Sequence, residues 1–181
     1  MVLVYMNMNT TLGVYLRDHH GVPTSGYGFL LSLNAAMVVF FQFPITHRIA
    51  DRPPMLMMAL GAALYAIGFA MYGLVNEYSM FVWAMVIITV GEMIVSPVAQ
   101  ALTSQLAPED MRGRYMAMFG FSWSIPFAIG PLLAGLILDN LNPNVLWYAA
   151  GFVGVLAVLG FLYLQRRTHL AAPIPEAEGY G

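Results

Sequence analysis

Glu92 is the residue of this chain whose type and position most demand a chemical explanation. It lies inside an otherwise charge-free run from Tyr78 to about Gln105, and a carboxylate near the centre of a spanning helix costs about 2.5 to 3.5 kcal/mol on insertion scales. Taking the group out of water penalises its charged form, so a carboxyl there could load and release a proton or hold a cation. Thr89, Ser96 and Gln100 stand three residues before, four after and eight after it. At about 100° per residue, the four side chains share roughly 80° of one helix face, a single wet stripe. No Lys, Arg or His falls inside any apolar segment, so a charge partner must come from another chain, a ligand or water. Trp123 offers a ring face to an organic cation. The plainer alternative is a permanently protonated Glu92 bonded to a neighbouring helix.

Other signals for chemistry are weak. Thr24-Ser25-Gly26-Tyr27-Gly28 matches the T-x-G-Y-G filter pattern, but a polar turn from Arg17 to Pro23 precedes it where a filter needs a re-entrant helix. Its glycines are expected to open a helix instead. Neither H-E-x-x-H, G-x-S-x-G nor G-x-x-x-x-G-K occurs, all four His lie outside the apolar segments, and Cys is absent. The expectation is a non-enzyme with no metal site and no cofactor. A net charge of −2 offers no basic field for nucleic acid.

The elements that must position Glu92 follow from composition. Of 181 residues, 60% are hydrophobic and 9% charged, against about 25% charged in a soluble domain. A spanning helix needs about 20 mostly apolar residues, and charges punctuate six such segments: Met1 to Leu16, Gly21 to Thr46, Met55 to Val75, Tyr78 to about Gln105, Tyr115 to Leu138 and Val145 to Leu164. The first is cut short at its start, with Met1 read as an internal methionine. Residues 1–170 thus make one six-helix bundle, followed by a disordered tail, 171–181. Connections alternate sides, placing Arg48, Arg52, Arg112, Arg114, Arg166 and Arg167 together and Arg17 alone opposite. By the positive-inside rule both termini are cytoplasmic.

Polarity sorts the six. Spans three and six carry no Asn, Gln, Ser, Thr or acid within their runs, and are expected at the lipid-facing periphery. The other four carry Asn7, Asn9 and Thr10; Ser32, Asn34 and Gln42; Thr89, Glu92, Ser96 and Gln100; and Ser122 and Ser124. These four are expected to surround a cavity lined by Asn7, Asn34, Gln42, Thr89, Ser96, Gln100, Ser122 and Trp123. Any single polar residue could equally be interhelical glue. Met55-Leu56-Met57-Met58 reads as lipid-facing filler. Gly61, Gly68, Gly73, Gly151 and Gly154 allow close helix packing, and Pro97, Pro126 and Pro131 are expected to kink spans four and five.

Gly26-Tyr27-Gly28, Gln42-Phe43-Pro44, Gly91-Glu92 with Pro97 and Gln100, Ala107-Pro108-Glu109 with Arg112-Gly113-Arg114-Tyr115, and Gly130-Pro131 with Gly135 together carry a resemblance. The chain resembles the C-terminal six-helix half of a major facilitator superfamily transporter of the bacterial multidrug-efflux type. That resemblance implies an all-α integral membrane fold, six transmembrane helices in a 3+3 inverted repeat making half of a twelve-helix transporter in the bacterial inner membrane. It also implies proton-coupled export of small amphipathic or drug-like molecules by alternating access, powered by a proton gradient, with Glu92 as the proton-coupling or substrate-binding group. The partners implied are an N-terminal six-helix half or a second copy, the lipid bilayer and a small-molecule substrate. Arg48, Asp51 and Arg52 resemble the family's cytoplasmic gating loop, without its glycines. The alternative of another kind is a six-helix module that dimerises or binds a partner as scaffold or sensor.

Overall fold

A computed structural model of the chain describes residues 5, 6, 8, 9 and 11–167. Among these every regular element is helical: α1 (Leu12–His20), α2 (Thr24–Ile49), α3 (Pro54–Leu74), α4 (Tyr78–Leu106), a single 3₁₀ turn (Glu109–Met111), α5 (Arg112–Asn140) and α6 (Asn144–Arg167). Residues 5, 6, 8 and 9, upstream of α1, are also helical. Helices α2 to α6 are each long and apolar enough to cross a membrane. That is the physical requirement in hydrocarbon, where backbone N–H and C=O groups must be satisfied within the segment. The expected 171–181 tail lies outside the described residues.

Boundaries follow local chemistry. The α1 helix stops at Gly21, which adopts φ 64° and lets the Val22 N–H reach back to the Leu16 carbonyl at 3.0 Å. Pro23, Pro53 and Pro108 stand immediately before α2, α3 and the 3₁₀ turn, where a missing N–H costs nothing. Thr24 to Gly28 form the opening of α2, so the filter-like pentapeptide is ordinary helix. Pro44, Pro97, Pro126 and Pro131 all lie within unbroken helices.

The core of the chain is the trio α4–α3–α6, with α3 in the middle. Its opposite faces are kept small for two neighbours. Toward α4, a Cβ added at Gly61 would meet Val95 at 2.4 Å and the Gly91 carbonyl at 3.1 Å, and one at Gly68 would meet Ile88 at 2.4 Å. Toward α6, Gly154 lies against Ala66 and Gly151 against Ala70. Large rings fill the widening space at one end: Tyr15, Phe69, Tyr72, Phe81 and Trp147 form one aromatic cluster. The single hydroxyl hydrogen of Tyr15 is shared between two acceptors, the Tyr72 carbonyl at 3.0 Å and Asn144 Oδ1 at 2.7 Å from Oη.

Two expectations are corrected here. Span three is not peripheral within this chain; α3 is its most enclosed helix, with Ala62, Phe69 and Tyr72 at 0–1% exposure. Lack of polar side chains says that a helix has no wet face, but its Gly and Ala say that neighbours approach closely, and the second property decided its place. Met55, Met57 and Met58 are likewise core rather than lipid-facing filler, the latter two packed with Ile94 and Val98 while Leu56 is exposed. Helix α6 covers only one side of α3 and leaves Phe152, Leu156 and Leu159 exposed.

Helices α2 and α5 contribute least to the core, with Leu30 buried on the former and Gly130 and Ala134 on the latter. Both expose rows of large apolar side chains, among them Phe29, Phe40 and Phe43, and Phe121, Phe127 and Leu132.

Candidate functional site

Glu92 stands at the midpoint of α4, half-buried. The sequence there alternates apolar groups with the stripe Thr89, Glu92, Ser96 and Gln100, so one face of an otherwise greasy helix carries its only acidic or basic side chain, Glu92. Along that stripe exposure rises from fully buried Thr89, through half-buried Glu92 and Ser96, to exposed Gln100. The stripe thus runs from the packed centre toward an open face.

Both carboxylate oxygens of Glu92 are engaged, each by a neutral donor from a different segment. Tyr5 Oη donates to Oε1 at 2.7 Å. Asn34 Nδ2, from α2, donates to Oε2 at 2.9 Å and also to Thr89 Oγ1 at 3.0 Å. Thr89 Oγ1 in turn donates to the Met85 carbonyl at 2.8 Å. This last bond fixes the amide orientation: Thr89 has one hydroxyl hydrogen, already given to Met85, so it must accept from Asn34 and the nitrogen must face it. Both donors are neutral, so neither Tyr5 nor Asn34 brings a counter-charge to the carboxyl.

Aromatic rings wall the site. The Tyr5 ring packs edge-on against Tyr65 of α3, centroids 6.1 Å apart, and against Trp123 of α5, 6.2 Å apart. Beside Trp123 the surface forms an open groove lined by Met6, Trp123, Ser124 and Phe127. Segments one, two, four and five therefore all reach the neighbourhood of Glu92, with Tyr65 closing it from α3.

The remaining expected positions are dispersed. Gln42 Nε2 donates to Thr46 Oγ1 at 2.9 Å and to the Met93 carbonyl at 3.1 Å, tying α2 to α4. Ser122 and Ser124 are exposed and return their hydroxyls to carbonyls of their own helix, Phe119 and Gly120. Arg48, Asp51 and Arg52 are exposed near the α2–α3 turn, and among the described residues no ion pair joins them. Asn7 lies outside the described residues. Tyr5 was missed by the sequence reading: it is 87 residues from Glu92, and a tyrosine in an apolar run carries no signal that its hydroxyl has a task.

Charge at the other end of α1 is arranged differently. Arg17 Nε donates to Asp18 Oδ1 at 2.7 Å, and that hydrogen bond holds the exposed Asp18 carboxyl below its usual range. His20 lies edge-on between Tyr15 and Phe81, centroids 4.9 Å from each. Burial, and then the neighbouring His19, push it below the ordinary histidine value.

The family description "Major Facilitator Superfamily" matches residues 1–180. An uncharacterized MFS-type transporter of Bacillus subtilis, YttB, is 29% identical over 140 residues, 76% of this chain and 35% of that protein. A Na(+), Li(+), K(+)/H(+) antiporter of Planococcus maritimus is 30% identical over 164 residues, 88% of this chain and 37% of its own length. The class H tetracycline resistance protein of Pasteurella multocida is 30% identical over 158 residues, 81% and 37% of the two chains. The chain spans little more than a third of the length of these relatives.

Proposed function

This chain belongs to the Major Facilitator Superfamily, a family of integral membrane transporters, and we propose that it forms one six-helix half of a proton-coupled secondary transporter. In this reading it is the C-terminal half, built as a 3+3 inverted repeat with both ends cytoplasmic in the bacterial inner membrane. It works with an N-terminal six-helix half or a second copy, and it exports small amphipathic or drug-like molecules. The exposed apolar rows of α2 and α5 are then divided between lipid and the other half, with binding at the midplane and rocking between the halves.

The observation that carries the proposal is the setting of Glu92. A carboxyl at the midpoint of a spanning helix, held by two neutral donors and walled by aromatic rings, is costly unless it is used. Among the described residues no Lys, Arg or His stands within the spans beside it, and in this reading it exchanges its proton for a substrate. By their names, one relative is a Na(+), Li(+), K(+)/H(+) antiporter and another a tetracycline resistance protein; for this chain, export of a lipophilic cation is part of the proposal.

The test uses the chain with its companion half in inside-out vesicles and ethidium as probe. Acidifying the lumen should drive ethidium inward, and a protonophore should stop it. Ethidium movement indifferent to the pH gradient would refute proton coupling.

A further inference from the structure

Pro97 lies inside α4 and brings no N–H, so the carbonyl four residues back, that of Met93, loses its helical donor. Gln42 of α2 supplies one. Its Nε2 stands 3.1 Å from the Met93 oxygen, and a carbonyl can only accept, so the amide nitrogen must face it. The same nitrogen also donates to Thr46 Oγ1 at 2.9 Å, one turn further along α2. Little else holds α2 in place, since Leu30 is its one buried residue. Among the described residues its polar ties to α4 form a short series: the Tyr78 hydroxyl on the Gly26 carbonyl, Asn34 on Thr89 and Glu92, and Gln42 on Met93. Gln42 is the last of them. Beyond it the two helices border an open apolar cleft lined by Thr46, Ile49 and Ala50 of α2 and its connection and by Pro97, Val98 and Ala101 of α4.

We propose that Gln42 is a releasable latch between α2 and α4, seated on the gap that Pro97 leaves in the α4 hydrogen-bond ladder. Latched, its amide replaces the N–H that proline lacks. Released, the amide keeps Thr46 on its own helix, the Met93 carbonyl is left bare, and α2 parts from α4 along the cleft. The bare carbonyl is what holds the latch shut, because Met93 is fully buried and a buried acceptor without a donor is costly. The latch concerns the α2–α4 contact alone and is independent of what Glu92 exchanges.

The test uses the full chain in lipid nanodiscs. Because it has no cysteine, nitroxide labels can be attached to cysteines substituted at the exposed positions His47 and Gln105, near the ends of α2 and α4, and their separation read by pulsed electron resonance. Gln42→Met keeps the length of the side chain and removes the donor, so the ratio of long to short separations should rise by about tenfold. Pro97→Ala returns a helical N–H to the Met93 carbonyl, and in that background Gln42→Met should change the ratio by less than about twofold. An unchanged ratio in the Pro97 background overturns the inference. A rise of the same size in both backgrounds also overturns it, since Gln42 would then act by packing and not through the Met93 carbonyl. If Gln42→Met alone does not fold, the double variant decides: folding with a short separation supports the latch, and failure to fold overturns it.

Discussion

Replacing Gly154 by alanine should weaken the packing of α6 on α3, while the same change at Gly160, on the same helix, should not. A Cβ at Gly154 would lie 2.7 Å from the Ala66 Cβ, 2.8 Å from its Cα and 3.1 Å from its N. Carbon atoms in good contact stay about 3.5 to 4.0 Å apart, so the helices would have to separate by roughly 1 Å, since Ala66 offers backbone and no flexible side chain that could swing away. Overpacking of this kind costs about 1 to 3 kcal/mol. At Gly160 nothing lies within 4 Å of the added carbon. The helix-propensity gain of Gly→Ala, up to about 1 kcal/mol, is common to both variants and cancels between them. The assay is reversible unfolding of the purified chain in mixed micelles, titrated with sodium dodecyl sulfate. Gly160→Ala should equal or exceed the wild type, and Gly154→Ala should fall below Gly160→Ala by about 1 to 3 kcal/mol. Equal stabilities for the two variants would refute the account of α3 as a helix enclosed through small-residue contacts.

Two further outcomes are expected. Because the chain has no native cysteine, single cysteines at Asn76 and Asn142 should react with an impermeant thiol reagent from outside the cell and one at Ala50 should not; the reverse pattern would invert the topology. His20 is held below its ordinary value in the folded chain, so the unfolded chain binds its proton more readily. Stability from this group is complete above about pH 6.5 and is lost as pH falls through that value toward the lower folded one. Unfolding midpoints between pH 7 and pH 5 should therefore drop, and His20→Phe, which keeps a ring between Tyr15 and Phe81, should flatten the drop.

Much of the fold was legible because hydrocarbon leaves the chain few choices. Charges and prolines bound the spans, and five of the expected segments match α2 to α6 to within three residues at every end. Glu92 was legible for the same reason, as a charge in a run that tolerates none. The place of α3 was harder to read. Its glycines signalled close packing, but no one-dimensional pattern states that Gly61 and Gly68 face one neighbour while Ala66 and Ala70 face another, although both pairs follow from helical spacing once the partners are known. Polarity also overstated what polar residues do: Ser122 satisfies its own helix and Gln42 joins two helices, whereas Tyr5, counted with the apolar residues, supplies the shortest bond to the carboxylate. Hydrogen bonds between residues 50 to 90 positions apart follow from the packing of helices, which local sequence does not encode.

The account rests on Glu92 as the group that exchanges its proton for substrate, and one substitution addresses it directly. Glu92→Gln preserves shape and hydrogen-bonding capacity at the centre of α4 but cannot change charge. In vesicles carrying the chain with its companion half, the variant should insert and fold as the wild type does while ethidium uptake driven by an acid lumen disappears. Undiminished pH-driven uptake by a well-folded Glu92→Gln protein would contradict the account and leave Glu92 a structural hydrogen-bonding residue.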